Sequence, residues 1–187
     1  MLKTYWEKGI SFESHIDNIQ SKIECNVNKE DSNLQKYLTS IERAENILKN
    51  YKPYPEQEEK YSTRDLNRKI LIIAEDWCGD CSQSIPVIKQ FFGDKIPLKI
   101  LYRDENPDLM KSFLTNGNEA VPIVIFLDEN YNVISHWGPR TNRGLQLLAK
   151  FKNDPENYPR EIFLKDLHIY YDENKGFDIV EEILEIL

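Results

Sequence analysis

The sequence predicts an α/β protein, with a central mixed sheet of four to five strands flanked by helices. Three observations point there. Residues 69–75 enclose an unbroken apolar run, Ile70 to Ala74, rich in isoleucine, the pattern of a strand buried on both faces. After it, strand-like and helix-like segments alternate, and the last two strand-like segments are separated only by Asp128-Glu129-Asn130, a hairpin signal. The 187 residues, 40% hydrophobic and 30% charged, suit one packed core with appended elements rather than a disordered chain.

The elements follow in order. Phe12, Ile16, Ile19 and Ile23 recur at helical spacing, which predicts a first helix. Cys25 lies just past it and is expected to be a small buried side chain. In the second helix Ser32 is the expected N-cap with Gln35 three residues on, and Leu34, Leu38, Ile41 and Leu48 are expected to share the inward face. Pro53 and Pro55 stop that helix, since proline removes an amide donor and its ring clashes with the preceding turn. Residues 56–68 are polar and read as a loop or short helical turn.

From there residues 69–75 are a strand, 78–92 a helix, 97–103 a second strand and 107–114 a helix opened by Pro107. Residues 123–127 and 132–137 pair as a hairpin, and residues 141–152 form a helix carrying Leu145, Leu148 and Phe151. Beyond the loop 153–159, two further helices are expected over 160–171 and 177–187. The apolar stripe of Phe177, Val180, Leu184 and Leu187 is expected to pack on the domain rather than to dock another protein. The expected organisation is therefore a helical extension over residues 1–60, the α/β domain over 61–152 and a second helical extension over 153–187.

The net charge of −8, with lysines scattered among glutamates, argues against nucleic acid or an anionic membrane as a partner. No apolar run reaches membrane-spanning length and the start shows no leader-like segment, so a cytoplasmic protein is expected. Three cysteines fit a reducing compartment, in which a close pair is catalytic, redox-sensing or metal-bound.

That pair is Cys78 and Cys81, placed where the first strand hands over to a helix. A cysteine in the first turn of a helix faces unsatisfied backbone N–H groups and the positive end of the helix dipole, and both favour thiolate over thiol. Cys78 is thus the expected exposed nucleophile, and Cys81, one turn deeper on the same face, the expected resolving thiol. Gly79 leaves room for a substrate backbone. Asp80 has two opposed effects, since it suits the helix N-terminus but its charge opposes a neighbouring thiolate. A zinc site would need two more ligands at similar spacing, and Cys25, His15, His136 and His168 are all isolated, so no metal is expected.

The same residues resemble the thioredoxin superfamily. Trp77-Cys78-Gly79-Asp80-Cys81 is similar to the family's Trp-Cys-Gly-Pro-Cys motif, with aspartate for proline. Pro86 resembles the helix-kinking proline, Val121-Pro122 the cis-proline segment that faces the cysteines, and Gly138 the glycine bordering the substrate groove. The resemblance covers residues 69–152 and implies a thioredoxin-like fold with extra helices at both ends. It implies a substrate groove shaped by Trp77, Gly79, Asp80, Val121, Pro122 and Gly138, with Trp137, Pro139 and Arg140 nearby. One departure stands out. The buried aspartate and the neighbouring lysine that help the family move a proton are here Ile72 and Ile100, which can do no acid–base work. Glu75, Asp76 and Asp80 are the replacement candidates for proton transfer, along with water.

The resemblance implies a thiol–disulfide oxidoreductase, most naturally a protein-disulfide reductase with a redox-active Cys78–Cys81 disulfide and no other cofactor. The expected partners are protein disulfide substrates and an electron donor, either a reductase or a small thiol, with the chain itself a monomer. The competing expectation is a thioredoxin-fold binding module or redox switch with little turnover.

Overall fold

In the computed structural model, which describes residues 2–26, 33–63 and 67–187, the long-range framework is a four-stranded sheet in the order β2-β1-β3-β4. Strand β1 (Lys69–Ala74) is its centre because every residue from Ile70 to Ala74 is fully buried, as its unbroken apolar run requires. β2 (Leu98–Tyr102) pairs parallel to β1, and β3 (Ile123–Leu127) pairs antiparallel to its other side. β4 (Val133–Trp137) completes the expected hairpin with β3, and its alternating exposure marks it as the edge strand. Ile72 and Ile100 stand directly opposite each other in the β1–β2 register, both fully buried, so the apolar replacement of the acid–base pair is real in space.

The helices lie around this sheet. α1 (Lys3–Lys8) and α2 (Phe12–Asn26) lead in, and between them Ile10 bridges Ile100, so the edge of β2 is partly covered. α3 (Leu34–Asn50) packs along α5 (Gly79–Phe92), the helix that follows β1. α4 (Pro55–Ser62) starts with its proline at the first turn, where the missing N–H costs nothing. α6 (Pro107–Met110) runs into a 3₁₀ turn, Lys111–Phe113, and α7 (Asn142–Asn153) is capped by the Thr141 hydroxyl, which accepts from Gly144 N at 3.2 Å. α8 (Arg160–Asn174) packs on α7. α9 (Phe177–Ile186) lies against α5, α4 and β4, burying Ile179, Val180, Ile183 and Leu184. The apolar stripe of the last helix is thus covered within the chain.

Two expectations are corrected. Cys25 falls inside α2, not past it, and is exposed: the helix buries Phe12 and Ile19, and position 25 rotates away from that side. On α3 the inward residues are Tyr37, Ser40 and Ala44, while Leu38 faces water. Leu34, Ile41 and Leu48 are half-buried, because α3 packs against both α2 and α5 and its most buried line lies between the two. The N-cap expected at Ser32 lies outside the described residues. Among the described residues no helix is long and apolar enough to cross a membrane.

Candidate active site

The two cysteines sit at the seam between β1 and α5. Cys78 is the N-cap of α5 in extended conformation, and its Sγ accepts from the backbone N–H of Cys81 at 3.4 Å. Its thiol can also donate to the carbonyl of Val121, 3.4 Å away. Cys78 is only 8% exposed and Cys81 2%. The expectation of an openly exposed nucleophile is therefore corrected, because the Val121–Pro122 segment lies across the first sulfur. The thiols differ in chemistry as well. The Cys81 side chain, donating toward Cys78, holds the Cys78 pKa below that of an ordinary cysteine, and the helix-start N–H groups of Asp80 and Cys81 add to this. Burial, followed by that same bond to Cys78, pushes the Cys81 thiol well up. One sulfur is set to ionise and its neighbour to stay protonated.

The Val121–Pro122 peptide bond is cis, and so is Gly138–Pro139. Gly138 has φ +117, and a Cβ there would press into the carbonyl oxygen of Pro122. Only glycine lets the end of β4 pass so close to that segment. Trp77 is half-buried, with the Arg103 guanidinium carbon 5.2 Å and the Lys36 ammonium 5.6 Å from its ring centroid. Trp137 is turned inward: its indole N–H donates to Glu182 of α9 at 2.9 Å. His136 points to the opposite side of β4 and stacks edge-on with Phe113.

Asp80 does not open onto a groove. It is 7% exposed, its Oδ2 pairs with Arg140 Nη2 at 2.5 Å, and its Oδ1 accepts from the Tyr171 hydroxyl at 3.1 Å. Burial raises its pKa, and Arg140, then Tyr171, pull it back down. The Arg43 guanidinium arrives from α3 over the same dipeptide: Nη1 is 3.4 Å from Ser82 Oγ, and would lie 3.3 Å from a Cβ at Gly79. Its Nη2 is 2.6 Å from His168 Nε2. Helices α3 and α8, from opposite ends of the chain, thus converge on the two residues between the cysteines.

The proton-transfer candidates also separate. Glu75 Oε1 accepts from the backbone N–H of Asp104 at 2.9 Å, and burial raises its pKa. Asp76, 2% exposed, forms an ion pair with Lys22 of α2 through Oδ2, while Oδ1 is buried with no hydrogen-bond partner. Both carboxylates line a small cavity of about 10 Å³ together with Cys81, Ser82 and His15. That volume is about the size of one water, and Glu75, Asp76 and His15 supply polar groups on a lining that is otherwise largely apolar. Among the described residues, no group of three or more histidine, cysteine or acidic side chains is arranged to hold a metal.

Comparison with known proteins now has a geometry to stand on. The sequence matches the thioredoxin family over residues 14–152, well over half of the chain. The chain belongs to the thioredoxin family. No curated protein matches it significantly. Among solved structures, this thioredoxin-family chain resembles a protein of unknown function from Pseudomonas aeruginosa, with a TM-score of 0.61 and 17% identity over 96% of this chain and 92% of that one. It also resembles the HIV 4E10 epitope scaffold, with a TM-score of 0.58 and 15% identity over 95% and 92%. At such identities the likeness is one of fold alone, and it includes the terminal helices.

Sequence reasoning placed Cys78, Cys81, Val121, Pro122 and Gly138, which the structure brings together. It missed Arg43, Tyr171 and Lys22 entirely, and considered His168 only as an isolated potential metal ligand. The one available signal was Asp80 itself: a carboxylate between two cysteines that face the protein interior needs a cation and a donor, and these had to come from elsewhere in the chain.

Proposed function

We propose that this thioredoxin-family protein is a thiol–disulfide oxidoreductase that reduces protein disulfides by dithiol exchange. The observation that supports it best is the asymmetry of the two sulfurs: Cys78 caps α5 with a depressed pKa, while Cys81 is buried behind it with a raised one. The Cys78 thiolate attacks one sulfur of a substrate disulfide, forming a mixed disulfide and releasing the first substrate thiolate. Cys81 then loses its proton and attacks Cys78 Sγ. A Cys78–Cys81 disulfide forms, the mixed disulfide breaks, and the second substrate thiolate leaves. Two electrons have passed to the substrate, and a dithiol donor, either a reductase or a small thiol, restores the pair. No further cofactor is needed.

Access to Cys78 requires the substrate strand to displace its thiol from the Val121 carbonyl, which then is free to accept from the substrate backbone, as in strand addition. Gly79, Pro122, Gly138 and Trp77 border that approach. Asp76 is the proton acceptor for Cys81, since its unpartnered Oδ1 shares a water-sized cavity with that residue. Asp80, held by Arg140 and Tyr171, serves position rather than proton transfer. The expected compartment is the cytoplasm.

The test is trapping in cells with Cys81→Ser. Mixed disulfides with client proteins should accumulate and should vanish when Cys78 is also changed to serine. Equal trapping by Cys78→Ser and Cys81→Ser would sink the assigned roles. A second reading, a redox switch, draws on the low exposure of Cys78 and the anchoring of Asp80 by Tyr171 of the C-terminal helices. It predicts no turnover of a model protein disulfide, with partner binding that depends on the Cys78–Cys81 oxidation state.

A further inference from the structure

A cavity of about 560 Å³ opens beside the cysteine motif, between α3, the segment 51–54 and the junction of α8 with α9. Its size is that of a small-molecule site. Its floor is the continuation of one face of α5: Gly79, Gln83 and Val87 follow at four-residue steps, and Gln83 and Val87 line the cavity. Gln83 is 7% exposed as a residue, and its side-chain amide, not itself sealed from the cavity, makes no hydrogen bond among the described residues. The Tyr51 hydroxyl, on the same wall, is buried and equally without a partner. The wall thus carries one buried hydroxyl without a partner and one amide whose hydrogen-bonding capacity is free toward the cavity.

The charges around the cavity favour one sign. Arg43, Lys52 and Lys175 line it against the single carboxylate of Asp172, in a chain whose net charge is −8. Neither Lys52 nor Lys175 forms an ion pair among the described residues. Ile47, Val87 and Ile179 supply apolar walls, and Tyr51 and Tyr54 aromatic ones. We propose that this cavity binds a small organic anion with an apolar or aromatic body. Its acidic group faces Lys52, Lys175 and Arg43, and its body lies on α5 against the Tyr51 and Tyr54 rings and takes a hydrogen bond from Gln83. The occupant would rest against Arg43 and Tyr171, the residues that reach across to Ser82 and Asp80. The binding claim does not depend on the oxidoreductase reading.

Isothermal titration calorimetry of the full chain with anilinonaphthalene sulfonate, an aromatic anion, tests it. One saturable site is expected. The double variant Lys52→Gln/Lys175→Gln should bind roughly tenfold more weakly, the loss expected for charge-assisted contacts. Asn46→Trp, an exposed rim position on α3, should fill the cavity and abolish the site while leaving the circular dichroism unchanged. The uncharged phenylnaphthylamine should bind more weakly than the sulfonate. The proposal is overturned if the native chain shows no saturable binding, if either variant binds as the native chain does, or if charged and uncharged probes bind alike.

Discussion

Arg140→Met isolates what the buried motif aspartate needs. Asp80 is shielded from water on nearly every side, and Arg140, itself one-fifth exposed, is its ion-pair partner at 2.5 Å. Removing one member of a fully buried pair costs about 3–5 kcal/mol, because the remaining charge is left without compensation. Two features of this site lower that figure. The Tyr171 hydroxyl still donates to Asp80, and the Arg43 guanidinium lies close enough to favour the charged carboxylate. In addition, Arg140 Nε is buried without a partner in the native protein, so methionine removes one unsatisfied donor while keeping the packing of the stem. The expected net loss is about 2 kcal/mol at neutral pH, a large share of the roughly 5–15 kcal/mol that holds a domain folded.

The loss should depend on pH in a definite direction. Asp80 already has a raised pKa when folded, so the native state binds its proton more readily than the unfolded chain does. Its contribution to stability is fully present below the unfolded value and fades as pH rises through the folded one. Without Arg140 the folded pKa rises further. Urea denaturation should therefore show the largest gap between variant and native protein at neutral pH and a narrowing one as pH falls through the raised pKa of Asp80. Asp80→Asn in the Arg140→Met background should recover part of the loss. A variant as stable as the native protein at neutral pH, or a gap that does not narrow in acid, would refute the reasoning.

Three further outcomes are expected. The alkylation rate of Cys78 should rise through a midpoint below that of an ordinary thiol, with Cys81 reacting far more slowly, which mass spectrometry of peptides labelled across a pH series would read directly. Gly138→Ala combines a left-handed φ with a clash against Pro122, and should cost about 3 kcal/mol or more by thermal denaturation; a shift within experimental error would disprove that contact. His15, buried against the Tyr102 hydroxyl, has its pKa pushed down to about 4 by burial. The unfolded chain binds that proton first, so stability should fall as pH drops below 6.5, and an NMR titration placing His15 near its ordinary value would contradict its burial.

The path from sequence to site was clear wherever the signal was local. The run Leu71 to Ala74, followed by Trp77 and two cysteines three apart, specifies a buried strand handing over to a helix, because both periodicity and capping act within a few residues. Ile72 beside Ile100 was implied by the resemblance to the thioredoxin superfamily, and the β1–β2 register places the two opposite each other. Faces of the outer helices were harder. On α3 the hydropathy of Leu34, Leu38, Ile41 and Leu48 suggested one side, but packing against both α2 and α5 buried Tyr37, Ser40 and Ala44 most deeply and left Leu38 in water. For Cys25 likewise, exposure depended on how α2 is rotated against the sheet.

The chain's own order of residues thus determined the strand–helix alternation, the thioredoxin family and the two sulfurs, because each is encoded by neighbours along the backbone. What only the tertiary structure decided is the environment of those sulfurs. Lys22 reaches Asp76, Arg43 reaches Ser82, and Tyr171 and Arg140 enclose Asp80 across separations of 54, 39, 91 and 60 residues. A lone side chain on a distant helix leaves no periodic trace. Its partner is chosen by packing geometry and by the cost of burying a charge without a counter-charge, and neither exists until the chain has folded.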